Sequence, residues 1–388
     1  MMRLEEKFYR RKIGQVQDIL ARRQLDGLLI LNHHQIYYLV GFFHYPTERP
    51  VILFVPRQAD PVLFVPKLEE SYVHEGAWAP DVEVYFEYPG VVHPLEWMAE
   101  RIIARGFGNS RIGLEATVSV SNRDRLGKHL PNVTWVEAGN VIGALRMIKA
   151  PEEIALQRKA AFYSDWMLGE GIRMIRSGER LSEIEIEQGM VSGVIRKMER
   201  ELDPVVAVPG LAGALVCSGP RSAFPHGLPT SRRIAPGENL ILSVACFVGG
   251  YFAESERTFI LGEPSPEQRH RYETDRAAQE VGCLGLVPGA RAGEVNHQCL
   301  EVIRSAGLGE YILHRQGHGI GIQNHEPPWI EDGDHTVLQA GMTVSCEPGI
   351  YCVGQGGYRI SDSVLVTATG PERLTRFPRD LESAVIFI

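Results

Sequence analysis

Cysteine pairs and long apolar runs are both missing from this sequence, and each absence excludes a class of protein. The six cysteines form no CxxC pair, and several lie in apolar runs such as LSVACF, which indicates buried thiols rather than disulfides or a zinc site. Every apolar run is far shorter than the ~20 residues that cross a bilayer, and the charged N-terminus does not resemble a signal peptide. We therefore expect a cytoplasmic protein that does not span a membrane.

Basic residues are in the minority. The chain has 40 Lys and Arg against 48 Asp and Glu, which gives a formal net charge of −8, and no basic run offsets this balance. The excess of acidic residues argues against a nucleic-acid or membrane-surface role. Of the 388 residues, 44% are hydrophobic and 23% are charged, as in ordinary globular proteins, so we expect no long disordered tail.

The length predicts two domains with a boundary near Lys149. In residues 1–149, apolar strand-like runs alternate with helical patterns, which favours an α/β domain. In residues 150–388, pairs of helices precede strands with Gly-rich turns, which favours an α+β domain with an antiparallel sheet. Within that second domain, Ser182 followed by Glu185 has the pattern of a capping box and predicts the start of a helix.

The segment LSVACFVGGYFAESERTF contains the first candidate site. If Gly249 and Gly250 form a two-residue hairpin turn, Ser243 lies opposite Glu256, and Glu254 points to the same face as Glu256. Like charges this close raise the pKa of one carboxyl unless a cation or metal lies between them. A solvated strand face would also explain the two glutamates, but the flanking phenylalanines favour burial and a functional role.

Three later segments add further candidate residues. RQGHGIGIQNHEPP contains His318 and His325 around a Gly-rich turn that lets the backbone approach closely. SCEPGIY places Glu347 at the end of an alternating strand. GGYRISDSVLVT presents Arg359 and Ser361 on one strand face.

These segments, together with LRMIKAPEEI and PHGLPTSRR, resemble the creatinase/prolidase/methionine-aminopeptidase family over nearly the whole chain. The resemblance implies a ribonuclease-H-like α/β N-terminal domain, a C-terminal pita-bread domain with a curved antiparallel sheet, and a homodimer. Metallopeptidases of that family hold two metal ions through five ligands, and the matching residues here are Ser243, Glu254, His318, Glu347 and Ser361. Because two of these five are serines, we expect no dinuclear centre.

The pattern of substitutions is similar to that of creatinase, the family member that works without metal. That likeness implies a metal-independent hydrolase that cleaves a C–N bond of an amidine, amide or lactam in a small polar substrate, with no cofactor. His226 would be the general acid/base, and Glu256 and Glu347 would be the catalytic carboxylates. The substrate-binding residues would be His318, His325, Phe252, Glu254 and Arg359, with Tyr45 and Arg49 reaching the site from the neighbouring subunit. Glu254 and Phe252 depart from creatinase, so creatine itself is not the expected substrate.

Two alternatives stay open at this point. Glu254, His318 and Glu347 could hold a single divalent metal in an Xaa-Pro aminopeptidase or dipeptidase. The chain could also be a catalytically silent relative that binds a ligand or protein in the same cleft. Metal analysis of the purified protein would separate the first alternative from the metal-independent hydrolase.

Overall fold

The structure is a computed structural model and describes residues 4–76, 78, 81–86 and 91–388. The chain divides into an N-terminal unit that ends at Leu145 and a C-terminal unit of Arg146–Ile388. The predicted α/β domain followed by a pita-bread domain is confirmed. None of the described helices is long and apolar enough to cross a membrane.

The N-terminal unit is built around one sheet. Its strands are β1 (Gly27–Ile30), β2 (Ile52–Pro56), β3 (Val62–Pro66), β4 (Asp81–Tyr85), β5 (Arg111–Leu114) and β6 (Thr134–Glu137). Its helices are α1 (Glu6–Arg22), α2 (His33–Val40), α3 (Glu70–Gly76), α4 (Pro94–Ala104), α5 (Val120–His129) and α6 (Asn140–Met147). The order in the sheet is β4-β3-β2-β1-β5-β6, antiparallel only where β2 pairs with β1 and β3. Apolar strand residues such as Leu29 and Phe54 pack against α4 and α5 in a buried core.

The C-terminal unit opens with two helices and continues mainly as strands. Its helices are α7 (Pro151–Ile175), α8 (Glu183–Glu201), α9 (Pro266–Gly285), α10 (Ala292–Ser305) and α11 (Leu381–Ala384). Its strands are β7 (Ala212–Ser218), β8 (Asn239–Val248), β9 (Tyr251–Leu261), β10 (Gly317–Gly319), β11 (Glu326–Ile330), β12 (Thr343–Cys346), β13 (Gly349–Cys352), β14 (Gly356–Arg359), β15 (Ser361–Thr367), β16 (Gly370–Arg373) and β17 (Val385–Ile386). As predicted, Ser182 caps α8 in a capping box with Glu185.

One curved sheet carries the chemistry of this unit. Its strands follow the order β11-β10-β12-β15-β9-β8-β7, with β16 beside β15 and β17 beside β9, and β13 and β14 pair separately. The hairpin of β8 and β9 has the predicted register, with Ser243 opposite Glu256. Gly249 and Gly250 make its two-residue turn with φ of 55° and 78°, a left-handed conformation that favours glycine.

A buried ion cluster joins the first residues of the C-terminal unit to β11. Arg146 and Lys149 both bind the carboxylate of Glu326, the latter with a distance of 3.0 Å between Nζ and Oε1. All three side chains are buried. Burial alone would raise the pKa of Glu326, but the charges of Lys149 and Arg146 outweigh it and lower that pKa. The cluster thereby fixes the residue that follows His325.

Candidate metal and substrate site

Adjacent strands of the curved sheet bring distant parts of the sequence together. β9 carries Glu254, β10 carries His318, and Glu347 follows the last residue of β12. One ligand atom from each of these three side chains lies within 4.8 Å of the other two. Two carboxylates and an imidazole at this spacing make a ligand set that suits a divalent metal ion.

Glycines on both sides of His318 let β10 fit between its neighbours. A Cβ atom added at Gly317 would lie 2.1 Å from the carbonyl oxygen of Ser345, and one at Gly319 would lie 2.3 Å from the carbonyl oxygen of Pro327. Both distances are impossible for a side chain, so only glycine allows this approach. The Gly-His-Gly sequence is therefore required by packing as well as by chemistry.

The ring of His318 is oriented by two contacts. Its Nδ1 lies 3.1 Å from the carbonyl oxygen of Gly319 and donates to it, which leaves Nε2 facing Glu347 at 3.0 Å. Burial would lower the pKa of His318, but the carboxylate of Glu347 outweighs it and raises that pKa to about 9. A metal ion would therefore bind Nε2, the nitrogen that faces the carboxylates, and displace the proton from it.

The two glutamates of the cluster titrate in opposite directions. Burial, reinforced by the charge of Glu347, raises the pKa of Glu254 to about 8. Burial also opposes ionisation of Glu347, but His318 outweighs it and lowers that pKa. With both glutamates ionised and His318 neutral, the site would hold more negative charge than its own side chains neutralise, and a bound cation would relieve that surplus.

The two serines at family ligand positions bind carboxylates. The hydroxyl of Ser243 donates to Oε1 of Glu256, and Oγ of Ser361 lies 3.1 Å from Oε1 of Glu254, to which it donates. The other carboxylate oxygen of Glu256 lies 2.5 Å from Nε of Arg359. The ligands that a second ion would need are thus replaced by hydroxyls already engaged in hydrogen bonds. The residues present fit one divalent ion and do not fit two.

Two neighbouring cavities open onto this cluster. Cavity A has a volume of about 550 Å³ and includes Ser243, Phe247, Phe252, Glu254 and Glu256 in its walls. Cavity B has a volume of about 990 Å³ and includes Phe224, Leu228, Leu313, His314 and His318. His226, His325, Glu347 and Arg359 line both. The cluster therefore lies where the two cavities meet.

The histidines on these walls differ in environment. His325 stacks on His318 with ring centroids 3.8 Å apart, and burial together with the charge of His318 lowers the pKa of His325 to about 4. His226 is exposed on the loop that follows β7. At neutral pH, His325 is therefore an uncharged group that can donate or accept a hydrogen bond.

Eight of the predicted site residues lie on the cavity walls. They are His226, Phe252, Glu254, Glu256, His318, His325, Glu347 and Arg359. Tyr45 and Arg49 belong to the N-terminal unit, in the segment after α2, where Tyr45 is 68% exposed. Their predicted contact with a substrate in a neighbouring subunit stays a prediction.

Glu183 is a residue that the sequence analysis missed. It is fully buried, and its carboxylate accepts hydrogen bonds from the backbone and side chains of Ser218 and Thr230. Nε of Arg221 also lies 3.3 Å from its Oε2. These contacts hold both ends of the loop that carries His226. The sequence signal was only the capping-box pattern beside it, which says nothing about contacts 35–47 residues away.

Comparison with known proteins places the chain in a family. Residues 155–368 match the metallopeptidase family M24, and residues 12–148 match the creatinase/prolidase N-terminal domain. An Xaa-Pro dipeptidase of Lactobacillus helveticus is 32% identical over 376 residues, which cover 95% of this chain and 98% of that protein. The structure of dipeptidase PepE from Mycobacterium ulcerans matches with a TM-score of 0.87 and 27% identity over 100% of both chains. The prolidase of Pyrococcus horikoshii matches with a TM-score of 0.82 and 25% identity, over 96% of this chain and 99% of that one.

The fold and the site thus define a hydrolase on the pita-bread scaffold. The chain belongs to the metallopeptidase family M24. The prediction of a metal-independent, creatinase-like hydrolase of amidines or lactams is wrong, and so is the expectation of no cofactor, because the relatives are dipeptidases of a metallopeptidase family. The physical reason is that Glu254, His318 and Glu347 still converge as a three-residue ligand set, although serines occupy the other two ligand positions.

Proposed function

We propose that this protein is a metallopeptidase of the Xaa-Pro dipeptidase or aminopeptidase type that works with one divalent ion. The observation that carries the proposal is the convergence of Glu254, His318 and Glu347 between two cavities. Three protein ligands that leave further coordination positions open are typical of catalytic rather than structural metal sites.

Charge balance supports a single ion. Glu254 and Glu256 supply two buried carboxylates, Glu347 supplies a third that is partly buried, and Arg359 supplies one buried guanidinium. With His318 neutral, the surplus is two negative charges, which one divalent ion neutralises. A second ion would add two further positive charges, and the neutral hydroxyls of Ser243 and Ser361 supply no negative charge to balance them.

The roles of the side chains follow from their positions. A bound divalent ion would polarise the scissile carbonyl and lower the pKa of a water molecule. Arg359 is fixed by Glu256 and by the carbonyl oxygen of Pro225, 3.0 Å from its Nη1, so its charge stays at the junction of the cavities. There it can bind a substrate oxygen that becomes more negative during the reaction. His226, exposed on the shared wall, can pass a proton to the leaving nitrogen.

The test combines metal content with peptidase activity. Protein dialysed against Mn²⁺, Co²⁺ or Zn²⁺ is expected to hold one ion per chain by elemental analysis and to hydrolyse Xaa-Pro dipeptides. Glu347→Gln is expected to lose both properties, while Glu294→Gln, at an exposed position of α10, keeps both. A loaded protein that hydrolyses no Xaa-Pro peptide would leave a binding role in the same cleft as the better explanation.

Two earlier predictions stay proposals alongside this function. A homodimer and a cytoplasmic location agree with the family resemblance and with the composition, respectively. Sedimentation of the purified protein at micromolar concentration would test the first.

A further inference from the structure

The walls of cavity B are unusual for a surface cleft because they expose large apolar side chains. Phe224 is 47% exposed, Leu228 71%, Leu313 56% and Val353 73%. They come from three separate segments, namely the loop after β7, the stretch before β10 and the turn between β13 and β14. Apolar side chains from distant segments that converge on one cavity mark a binding surface more often than chance exposure does.

The rim and the floor of cavity B are polar. Arg315 and Arg221 lie among its walls, and His318 and Glu347 lie at its inner end beside Arg359. Nη1 of Arg315 is 2.7 Å from Oε2 of Glu331, which fixes the guanidinium at the rim. An apolar wall with a few placed polar groups is the usual composition of a small-molecule site.

The two cavities differ in charge, and the difference gives a bound peptide a direction. Beyond the proposed metal ligands and the shared Arg359, cavity A contains the carboxylate of Glu256, which favours an amino terminus. Beyond the same shared residues, cavity B contains Arg221 and Arg315 against one carboxylate, Glu331, and the guanidinium groups suit a terminal carboxylate. A peptide with its scissile bond at the cluster would therefore run from cavity A into cavity B.

The volumes exceed what a dipeptide needs. Cavity A has about 550 Å³ and cavity B about 990 Å³. Each lies within the range of roughly 300–1,000 Å³ that holds a drug-sized ligand. A proline ring alone would leave the apolar side chains of cavity B largely without contacts.

We infer that cavity B binds an apolar residue on the carboxyl side of proline, so that the preferred substrates are Xaa-Pro-apolar peptides rather than Xaa-Pro dipeptides. The inference rests on the proposed peptidase function for its scissile bond. The occupant is the side chain of the third residue, held between Leu228, Leu313 and Val353, with its carboxylate at Arg315.

The first experiment compares Ala-Pro, Ala-Pro-Leu and Ala-Pro-Asp as substrates of the metal-loaded protein. We expect kcat/KM for Ala-Pro-Leu to exceed the values for both Ala-Pro and Ala-Pro-Asp by about tenfold or more, the order of discrimination that an apolar pocket gives. Leu313→Asp and Leu228→Asp should remove this preference through KM, and Leu313→Met should keep it. Leu284→Asp, which changes an exposed leucine of α9 that lies outside both cavities, is the matched control.

A second experiment measures binding without turnover. Calorimetry with the dipeptide Pro-Leu should show binding to metal-free wild-type protein and at least about tenfold weaker binding to Leu313→Asp. If no peptide is hydrolysed but this binding pattern holds, the apolar site stands and the proposed peptidase function fails. If Ala-Pro is hydrolysed and Ala-Pro-Leu is no better a substrate than Ala-Pro or Ala-Pro-Asp, the inference about cavity B is overturned. Sedimentation that shows a dimer broken by Leu228→Asp would overturn it too, because these side chains would then lie between subunits.

Discussion

Glu115 in the N-terminal unit and Glu254 in the C-terminal unit are both buried glutamates with raised pKa values, yet only one lies in a site. Burial raises the pKa of Glu115 to about 7 against two backbone hydrogen bonds, from Leu31 and Asn32, each with a nitrogen-to-oxygen distance of 2.6 Å. Burial together with the charge of Glu347 raises the pKa of Glu254 to about 8. Glu115 joins two strand ends, whereas Glu254 meets an imidazole and a second carboxylate.

The comparison teaches that a shifted pKa does not by itself identify a functional residue. The pKa values of structural and of catalytic carboxylates can be shifted by similar amounts. What separates these two is convergence, because ligand atoms of His318 and Glu347 lie within 4.8 Å of a carboxylate oxygen of Glu254, and cavities A and B meet at that point.

The largest expected effect comes from His318→Ala. The substitution removes one of three ligands, so the affinity for Mn²⁺ should fall by more than about 100-fold, since even the loss of an outer-shell partner costs about 10–100-fold. Calorimetric titration measures this affinity. Glu115→Gln should leave it unchanged, and an equal loss in both variants would show that the comparison is wrong.

The next effect is the pH dependence of ion binding. The pKa values of His318 and Glu254 are raised to about 9 and about 8, so the metal-free protein holds protons on both groups at pH 7. An ion binds only when both groups are deprotonated, so its apparent affinity should rise with pH. We expect a rise of about tenfold per pH unit for each proton released, and a plateau above about pH 9. A pH-independent affinity between pH 6 and 8 would contradict the predicted protonation of the cluster.

A third prediction concerns stability and Glu115. Because its folded pKa is raised from 4.5 to about 7, the folded state binds the proton more tightly than the unfolded state does. The free energy of unfolding should therefore fall by about 3 kcal/mol as the pH rises from about 4.5 to 7, and then stay level. Glu115→Gln keeps an oxygen for the two backbone donors and should abolish this fall. Urea unfolding at pH 5 and pH 8 checks it, with the exposed Glu137→Gln as the control expected to behave like the wild type.

The smallest effect is expected for Ser361→Ala. This variant removes one hydrogen bond, 3.1 Å long, from Glu254 and leaves the three ligands in place. We expect less than about a tenfold change in Mn²⁺ affinity, in keeping with about 1 kcal/mol for one hydrogen bond. Ser255→Ala, on the other face of β9, is the matched control. A change as large as that of His318→Ala would mean that the serine hydroxyl itself binds the ion.

Local rules predicted the hairpin and the helix starts well. The Gly-Gly turn fixed the register of β8 against β9, and hence the placement of Ser243 beside Glu256, because a two-residue turn allows one pairing. The capping box at Ser182 likewise depends on residues three apart. Family resemblance, rather than local pattern, supplied the convergence of Glu254 with His318 and Glu347.

The errors of the sequence analysis came from interactions between distant segments. The two serines at ligand positions led us to predict a metal-independent enzyme. The sequence alone does not show whether the three remaining ligand side chains still lie close together. The bonds of Glu183 to the loop after β7 are likewise set by tertiary packing between segments that no local rule connects. The apolar walls of cavity B come from three segments that only tertiary packing brings together, so the sequence alone did not predict them.

The ion cluster at the start of the C-terminal unit limits how this chain can be shortened. A truncated protein that began at residue 150 would lack Arg146 and Lys149 and leave Glu326 buried without either cation. Breaking a buried ion pair in this way costs about 3–5 kcal/mol, a large part of the stability of an ordinary domain. The C-terminal unit is therefore best isolated from Arg146 onward, although the match to the creatinase/prolidase N-terminal domain extends to residue 148.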